Sequence, residues 1–225
     1  MDKILSQIQN VYSLNKDSDR AYKMAAYMKN KFPFLGIPSP LRNELNKEIL
    51  SELKGEGFSN IEQLVNLLWK LPEREYQYLA IIILDKHKDK LTPSHIEFII
   101  DLIKSKSWWD TIDALVPKFI GYILYNYPEL RNEYISTWIE SSNIWLNRTA
   151  ILFQLKYKED TDFELQKTII DSLKHKPDFF VKKAIGWSLR EYSKKEPILV
   201  EDYIKKANLQ ALSEKEGLKI ILKTK

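Results

Sequence analysis

The residues with the clearest chemical potential are a pair of tryptophans followed by two carboxylates, in the stretch 107–113 (Ser-Trp-Trp-Asp-Thr-Ile-Asp). If this stretch opens a helix, Trp109 and Asp113 are four residues apart and share one face. An aromatic surface beside a carboxylate stabilises positive charge, including charge that develops during a reaction. The stretch therefore predicts a cation-stabilising site, provided that other groups converge on the same face.

Composition limits the classes of protein to which the chain can belong. Its 225 residues are 44% hydrophobic and 29% charged, which is typical of a globular protein with a sizeable core. No apolar run approaches the roughly 18 residues of a membrane span, and no apolar leader follows Met1, so we expect neither a membrane helix nor a signal peptide. The absence of cysteine excludes disulfides and thiolate ligands and indicates a reducing, cytoplasmic location.

Other common catalytic and metal-binding patterns do not occur in the sequence. There is no glycine-rich phosphate loop, no Ser-His-Asp arrangement and no paired-carboxylate motif. His87, His95 and His175 are dispersed and lack the spacing of metal ligands. We therefore expect no metal and no cofactor. The net charge of +4 permits nucleic-acid binding but does not require it.

The apolar residues recur at helical spacing throughout the chain. The six glycines are few, the nine prolines fall mostly between amphipathic stretches, and neither alternating strands nor hairpin turns are visible. The sequence predicts an all-α chain of about a dozen helices. Because no long linker interrupts it, we expect a single domain over residues 1–225.

Three series of similar residues recur at intervals of 35 positions. The series are Tyr122, Tyr157, Tyr192; Leu68, Ile103, Trp138, Leu173; and Leu84, Phe119, Gln154, Leu189. A period of 35 accommodates two helices and their turns, which favours a helical solenoid over an irregular helical bundle.

The same register relates Asp113 to other polar residues. Shifts of 35 positions lead from Asp113 to Tyr78, Arg148 and Lys183, and such equivalent positions line one face of a solenoid, usually the concave one. Helical spacing then adds residues near this ladder: Trp109, Lys156, Trp187 and Arg190. The pattern predicts a groove for a polyanion, with a site for a cation within it.

Structural alternatives exist for several of these residues. Trp108 is interpreted as a core residue, and Asp110 as a helix-start residue that faces free backbone amides. Asp113 and Arg148 form either part of the groove or a structural bridge between repeats, and Arg148 and Lys183 could each be a solvated charge. Four lysines near the C-terminus are interpreted as a solvated face: Lys215, Lys219, Lys223 and Lys225.

Longer blocks of sequence carry a resemblance to a known family. The blocks are Tyr27-Met28-Lys29 with residues 32–37; residues 106–110 with Asp113; residues 143–146 with Arg148; residues 150–154; and residues 182–187 with 189–192. In these blocks the chain resembles the AlkD family of HEAT-like repeat DNA glycosylases over nearly its whole length. The resemblance implies a right-handed superhelical solenoid of helix pairs with a concave basic groove that binds DNA.

The resemblance also implies an activity. Members of this family excise positively charged alkylated purines, such as 3-methyladenine and 7-methylguanine, from duplex DNA, and do so without drawing the base into a pocket. By this resemblance Asp113 is the catalytic carboxylate, and Trp109 and Trp187 frame the deoxyribose of the lesion. One carboxylate suffices chemically, because a cationic purine leaves as a neutral base and needs no general acid.

The remaining expectations concern DNA contacts and competing functions. The resemblance places Arg148 on the DNA backbone, Tyr27 along the DNA surface, and Lys156 and Arg190 at phosphates, while the register adds Lys183 to the groove. We expect a monomer associated with the nucleoid. Two alternatives remain: a non-catalytic protein that binds branched or distorted DNA, and a protein-interaction scaffold, which is the commonest use of helical repeats.

Overall fold

Helices are the only regular secondary structure in the described part of the chain. The computed structural model describes residues 1–223, which form fourteen α-helices joined by turns and short 3₁₀ segments, with no strand. The predicted all-α class is thereby confirmed. Lys225, part of the predicted lysine face, lies outside the described residues. None of the helices within residues 1–223 combines the length and the hydrophobicity of a membrane span.

The chain divides into two compact units, residues 1–90 and 91–225. The prediction of a single domain over residues 1–225 stays a prediction, as do the superhelical course and the concave groove. The first unit contains α1 Asp2–Leu14, α2 Ser18–Tyr27, α3 Ser39–Glu52, α4 Phe58–Lys70 and α5 Arg74–Lys86.

A buried carboxylate organises the segment between α2 and α3 in the first unit. Glu75 is fully buried, and its two side-chain oxygens accept hydrogen bonds from the backbone amides of Leu35, Gly36 and Ile37, at 2.9–3.2 Å. Gly36 has a φ of +88°, and a Cβ there would lie 2.0 Å from the carbonyl oxygen of Asp17, so only glycine fits. Glu75 therefore satisfies three amides that no regular element pairs.

The described part of the second unit, residues 91–223, contains nine helices. They are α6 Ile96–Lys104, α7 Trp109–Leu115, α8 Gly121–Asn126, α9 Arg131–Glu140, α10 Ile144–Leu152, α11 Phe163–Leu173, α12 Phe179–Tyr192, α13 Pro197–Ala207 and α14 Ala211–Gly217. A π-helical turn, Val116–Ile120, joins α7 to α8. Pro117 lies in this turn, and a proline inside a helix removes a backbone hydrogen bond and crowds the preceding turn, which favours the wider π geometry.

The helix starts recur at the predicted interval. The second helices of successive pairs, α5, α7, α10 and α12, begin at Arg74, Trp109, Ile144 and Phe179, each 35 residues after the last. The first helices, or the 3₁₀ turns that lead into them, begin at Phe58, Pro93, Pro128 and Phe163, again at steps of 35. The predicted helix-pair repeat is confirmed along this stretch.

Contacts between neighbouring repeats follow the same interval in the second unit. The Tyr125 hydroxyl donates to Asp160, 35 residues further on, and the Tyr157 hydroxyl donates to the carbonyl of Gly121, 36 residues back. The helix α10 contacts both α7 and α12. Side chains at equivalent positions of α7, α10 and α12 are therefore brought together by the packing of the repeats.

Candidate active site

Asp113 lies in the second turn of α7, one turn after Trp109, the first residue of that helix. The Asp113 side chain is 22% exposed, so solvent can reach it although other residues largely enclose it. Asp110 lies in the first turn, as predicted, where a carboxylate faces free backbone amides. The predicted sharing of one face by Trp109 and Asp113 is confirmed, since both line the same cleft.

Arg148, in the middle of α10, binds the Asp113 carboxylate through a bidentate contact. Its Nε donates to Oδ1 at 2.8 Å and its Nη2 to Oδ2 at 2.9 Å, while Nη1 donates to the carbonyl oxygen of Phe180 at 2.6 Å. The Arg148 side chain is only 4% exposed. Its interpretation as a solvated charge is therefore wrong. The bridge between repeats that the sequence left open is present, and the DNA contact of Arg148 stays a prediction.

Two opposing effects act on the ionisation of Asp113. Burial raises the pKa of the Asp113 carboxyl above its usual value, and the nearby Asp110 acts in the same direction. The positive charge and hydrogen bonds of Arg148 act against this rise. Arg148 thus supports the ionised form of a carboxylate whose surroundings disfavour charge.

Asp113 lines a cleft of about 230 Å³, the Asp113 cleft. It is lined by Trp109, Asp113, Arg148, Phe179, Phe180 and Lys183. Carboxylate, guanidinium, ammonium and aromatic groups from α7, α10 and α12 therefore meet at one place. This surface can stabilise a cation at the carboxylate and attract an anion at the lysine.

An aromatic cluster supports the wall of this cleft. The rings of Trp108, Trp145 and Phe180 have centroids 4.9–6.0 Å apart, in tilted and edge-on arrangements. Trp145 is buried, whereas Trp108 is half-buried, so Trp108 contributes to the core less completely than predicted. Because the Phe180 carbonyl also accepts from Arg148, the cluster helps to fix the guanidinium.

Trp187 lies on α12 near Arg148 and is not among the residues that line the Asp113 cleft. The Arg148 Cζ lies 6.0 Å from the centroid of the Trp187 ring, at the outer limit of a cation–π contact. Trp187 remains half-exposed. Its indole therefore has a surface available beside the Asp113–Arg148 pair.

Lys183 and Arg190, also on α12, share one carboxylate. Lys183 Nζ lies 3.0 Å from Glu216 Oε1, and Arg190 Nη1 lies 2.6 Å from Glu216 Oε2. Lys183 is accordingly paired and not a simple solvated charge. The DNA contacts of both cations stay predictions.

The other two predicted DNA-binding residues lie outside the Asp113 cleft. Lys156 follows the end of α10 and is exposed. Tyr27 ends α2 in the first unit, where it is 71% exposed and lines a separate cleft of about 230 Å³ with Met24, Phe34 and Tyr78. Neither is among the residues that line the Asp113 cleft.

Three residues of this region were not predicted from the sequence. Phe179 lies two repeat lengths after Trp109, and Phe180 lies one repeat length after Trp145, so the 35-residue register contained a signal for both. Glu216 had no such signal, since it lies in α14, beyond the regular repeats. In residues 1–223 no cluster of three or more histidines or carboxylates has the arrangement of a metal site.

Comparisons with known proteins point to one family. The family model described as DNA alkylation repair enzyme matches residues 8–221. A solved structure described as a predicted DNA alkylation repair enzyme from Enterococcus faecalis is 35% identical, with a TM-score of 0.86, and the match covers 92% of this chain and 97% of that chain. None of the curated proteins matches the chain significantly.

Two more distant structures, both from Streptococcus mutans, share the fold. The protein smu.31 is 21% identical, with a TM-score of 0.58, over 80% of this chain and 96% of its own. The protein AlkD2 is 22% identical, with a TM-score of 0.57, over 76% of this chain and 84% of its own.

Proposed function

The chain belongs to the DNA alkylation repair enzyme family, and we propose that within it this protein is a monofunctional DNA glycosylase. Its substrates are positively charged alkylated purines, such as 3-methyladenine and 7-methylguanine, in duplex DNA. The observation that carries the proposal is the Asp113 carboxylate, held by Arg148 in a cleft walled by aromatic rings. The enzyme acts as a monomer on DNA in the cytoplasm.

The proposed reaction is hydrolysis of the N-glycosidic bond. Alkylation makes the purine cationic, so the bond breaks with its electron pair passing to the base, which leaves neutral. The deoxyribose becomes an oxocarbenium-like cation, which the Asp113 carboxylate stabilises. The oxygen of a water molecule then bonds to C1′, and the water gives a proton to Asp113, leaving an abasic site.

Arg148 has a defined part in this proposal. A carboxylate has about four lone-pair positions, and the guanidinium uses one on each oxygen, so the others remain for the sugar and the water. Arg148 also opposes the rise in the pKa of Asp113 that burial causes. It therefore keeps the carboxylate both oriented and charged.

The two indoles complete the proposed catalytic surface. The faces of Trp109 and Trp187 would attract the sugar cation, each contributing about 1–2 kcal/mol where water is excluded. The proposal includes catalysis without base flipping, which the resemblance to the AlkD family implies.

The proposed DNA-binding surface is the face on which α7, α10 and α12 present these groups. Lys183 and Arg190 supply positive charge on α12, and Lys156 supplies it just beyond α10. Tyr27 is proposed as a DNA contact of the first unit, because its ring is exposed. Phosphate contacts by such cations make DNA affinity fall steeply with salt.

The deciding experiment is release of 7-methylguanine from methylated duplex DNA, with the free base quantified by mass spectrometry. We expect release well above the spontaneous rate, and a fall of about 10²–10³-fold in Asp113→Asn, because one transition-state charge contact is lost. Asp101→Asn is the matched control, since the Asp101 side chain is exposed and pairs with Lys104 on α6. DNA binding without any base release would instead identify a non-catalytic DNA-binding protein.

A further inference from the structure

Glu216 links two cations of α12 through its two carboxylate oxygens. One oxygen contacts Lys183 Nζ at 3.0 Å and the other contacts Arg190 Nη1 at 2.6 Å. The Glu216 side chain is 14% exposed, whereas those of Lys183 and Arg190 are 36% and 25% exposed. The carboxylate is thus the inner member of the cluster, and the two cations are its outer members.

The position of Glu216 is fixed by close packing between α12 and α14. A Cβ on Gly186 of α12 would lie 2.5 Å from the Glu216 Cβ and 2.8 Å from the carbonyl oxygen of Ser213, so α14 approaches α12 where no side chain intervenes. The hydrogen bond from Lys183 lowers the pKa of Glu216, and Lys219 and Arg190 act in the same direction. Glu216 is therefore a rigidly held anion.

This anion draws together two cations that would otherwise lie apart. Lys183 and Arg190 are seven residues apart on α12, which is about 10.5 Å along a helix axis, yet their charged groups meet at one carboxylate. Lys183, Arg190 and Glu216 together carry a net charge of +1, and Lys219 adds further positive charge near Glu216. Within residues 1–223 the contacts to Glu216 use one donor of each cation, whereas a lysine has three donors and an arginine five.

The cluster lies next to the Asp113 cleft. Lys183 lines that cleft, and Trp187 follows Lys183 by one turn of α12 and precedes Arg190. A phosphodiester carries one negative charge and two non-bridging oxygens, which match the net charge and the converging donors of the cluster. A phosphate bound here would lie beside the nucleotide whose sugar faces Asp113.

We infer that Glu216 is a positioning residue, which aligns Lys183 and Arg190 on a single DNA phosphate beside the Asp113 cleft. This inference rests on the proposed glycosylase function and deepens it, because it assigns the strand contact that places the sugar. Without Glu216 the two cations separate and engage different phosphates, and the sugar is held less accurately against Asp113.

The test compares Glu216→Gln and Glu216→Asp with the full-length wild-type protein. Glu216→Gln frees both cations, so the slope of log K against log salt for duplex DNA should steepen by about 0.9, the equivalent of one phosphate. The single-turnover rate of 7-methylguanine release should fall about tenfold, as expected for a misplaced sugar. Glu216→Asp retains the charge but withdraws the carboxylate by one methylene, and the rate should fall in the same way.

The matched control is Glu164→Gln, since Glu164 is an exposed partner of Lys167 on α11 and should change neither quantity. Wild-type rate and salt slope in folded Glu216→Gln, with only a lower Tm, would reduce Glu216 to a structural residue and overturn the inference. A wild-type rate in Glu216→Asp would also overturn it, by showing that charge alone matters. If the wild-type protein releases no base, the glycosylase proposal fails, and the salt slopes then decide the inference separately.

Discussion

The guanidinium of Arg148 donates to both oxygens of the Asp113 carboxylate, although 35 residues separate the two along the chain. The contact joins α10 to α7, so the geometry of the carboxylate depends on how two repeats pack. A third hydrogen bond, to the carbonyl of Phe180, extends this dependence to α12. In the proposed mechanism, catalysis and repeat packing are therefore coupled at Arg148.

Arg148→Lys tests this coupling. Lysine retains the positive charge but cannot reach both carboxylate oxygens and the Phe180 carbonyl together. We expect the rate of base release to fall about 10²-fold, because the carboxylate is no longer oriented, and the free energy of unfolding to fall by about 2–3 kcal/mol. Single-turnover release and urea denaturation measure the two effects. Arg20→Lys, at an exposed pair with Asp17, should change neither the rate nor the stability. A fully active Arg148→Lys would contradict the role of the bidentate contact.

In the proposed mechanism, the pH dependence of base release reports on the ionisation of Asp113. Protonation removes the charge that stabilises the sugar cation, so the rate should fall as the pH falls through the pKa of the folded protein. Burial raises that pKa, so the fall should occur at higher pH than for an ordinary aspartate. Arg148→Gln removes the positive charge that opposes the rise in the pKa of Asp113. The decrease in rate should therefore shift to still higher pH. Rates are measured after subtraction of spontaneous depurination. If Arg148→Gln has the same pH–rate profile as the wild type, the electrostatic effect of Arg148 on Asp113 is refuted.

Glu75→Gln should destabilise the first unit, and it changes none of the residues that line the Asp113 cleft. The amide has one accepting oxygen where the carboxylate has two, so one of the three backbone amides at 35–37 loses its partner. We expect the free energy of unfolding to fall by about 2–3 kcal/mol, measured by urea denaturation. Glu48→Gln, on the exposed surface of α3, should stay within about 0.5 kcal/mol of the wild type. Equal stability of the two variants would remove Glu75 from its organising role.

Gly186→Ala should separate α14 from α12. The added methyl group would meet Glu216 Cβ and the Ser213 carbonyl at distances that force the helices apart, at a cost of about 1–3 kcal/mol in the free energy of unfolding. Because Glu216 moves with α14, base release should fall as well. Gly57→Ala is the control, since a Cβ there meets nothing within 4 Å. Thermal unfolding and single-turnover release provide the two measurements, and unchanged values for Gly186→Ala would contradict the close approach.

The sequence predicted the helical class and the repeat correctly, because both depend on periodic burial. Ile103, Trp138 and Leu173 recur every 35 residues and all three are buried. The same register anticipated that Asp113 and Arg148 would be equivalent positions, and their contact follows from the packing of neighbouring repeats.

Other features depend on particular contacts and were not predictable in this way. Glu216 lies in α14, which begins at Ala211, whereas a further step of 35 from Phe179 would begin a helix three residues later. The burial of Glu75 is set by irregular backbone at residues 35–37, which has no periodic signature. Trp108 illustrates a third limit, because its large ring is half-buried against Trp145 and Phe180, and residue type alone does not set such partial burial.

The spacing of Asp113 and Arg148 also restricts how such a chain can evolve. Arrays of helix pairs commonly change length by gaining or losing whole repeats. Loss of the 35 residues that end at Arg148 would bring Lys183 into register with Asp113, so the carboxylate would exchange its arginine for a lysine without any point mutation. Gain of a repeat at the same place would put a residue of the new repeat, in place of Arg148, next to Asp113. The three consecutive repeats that contribute Asp113, Arg148 and Phe180 can therefore change in number only if this set of contacts is lost.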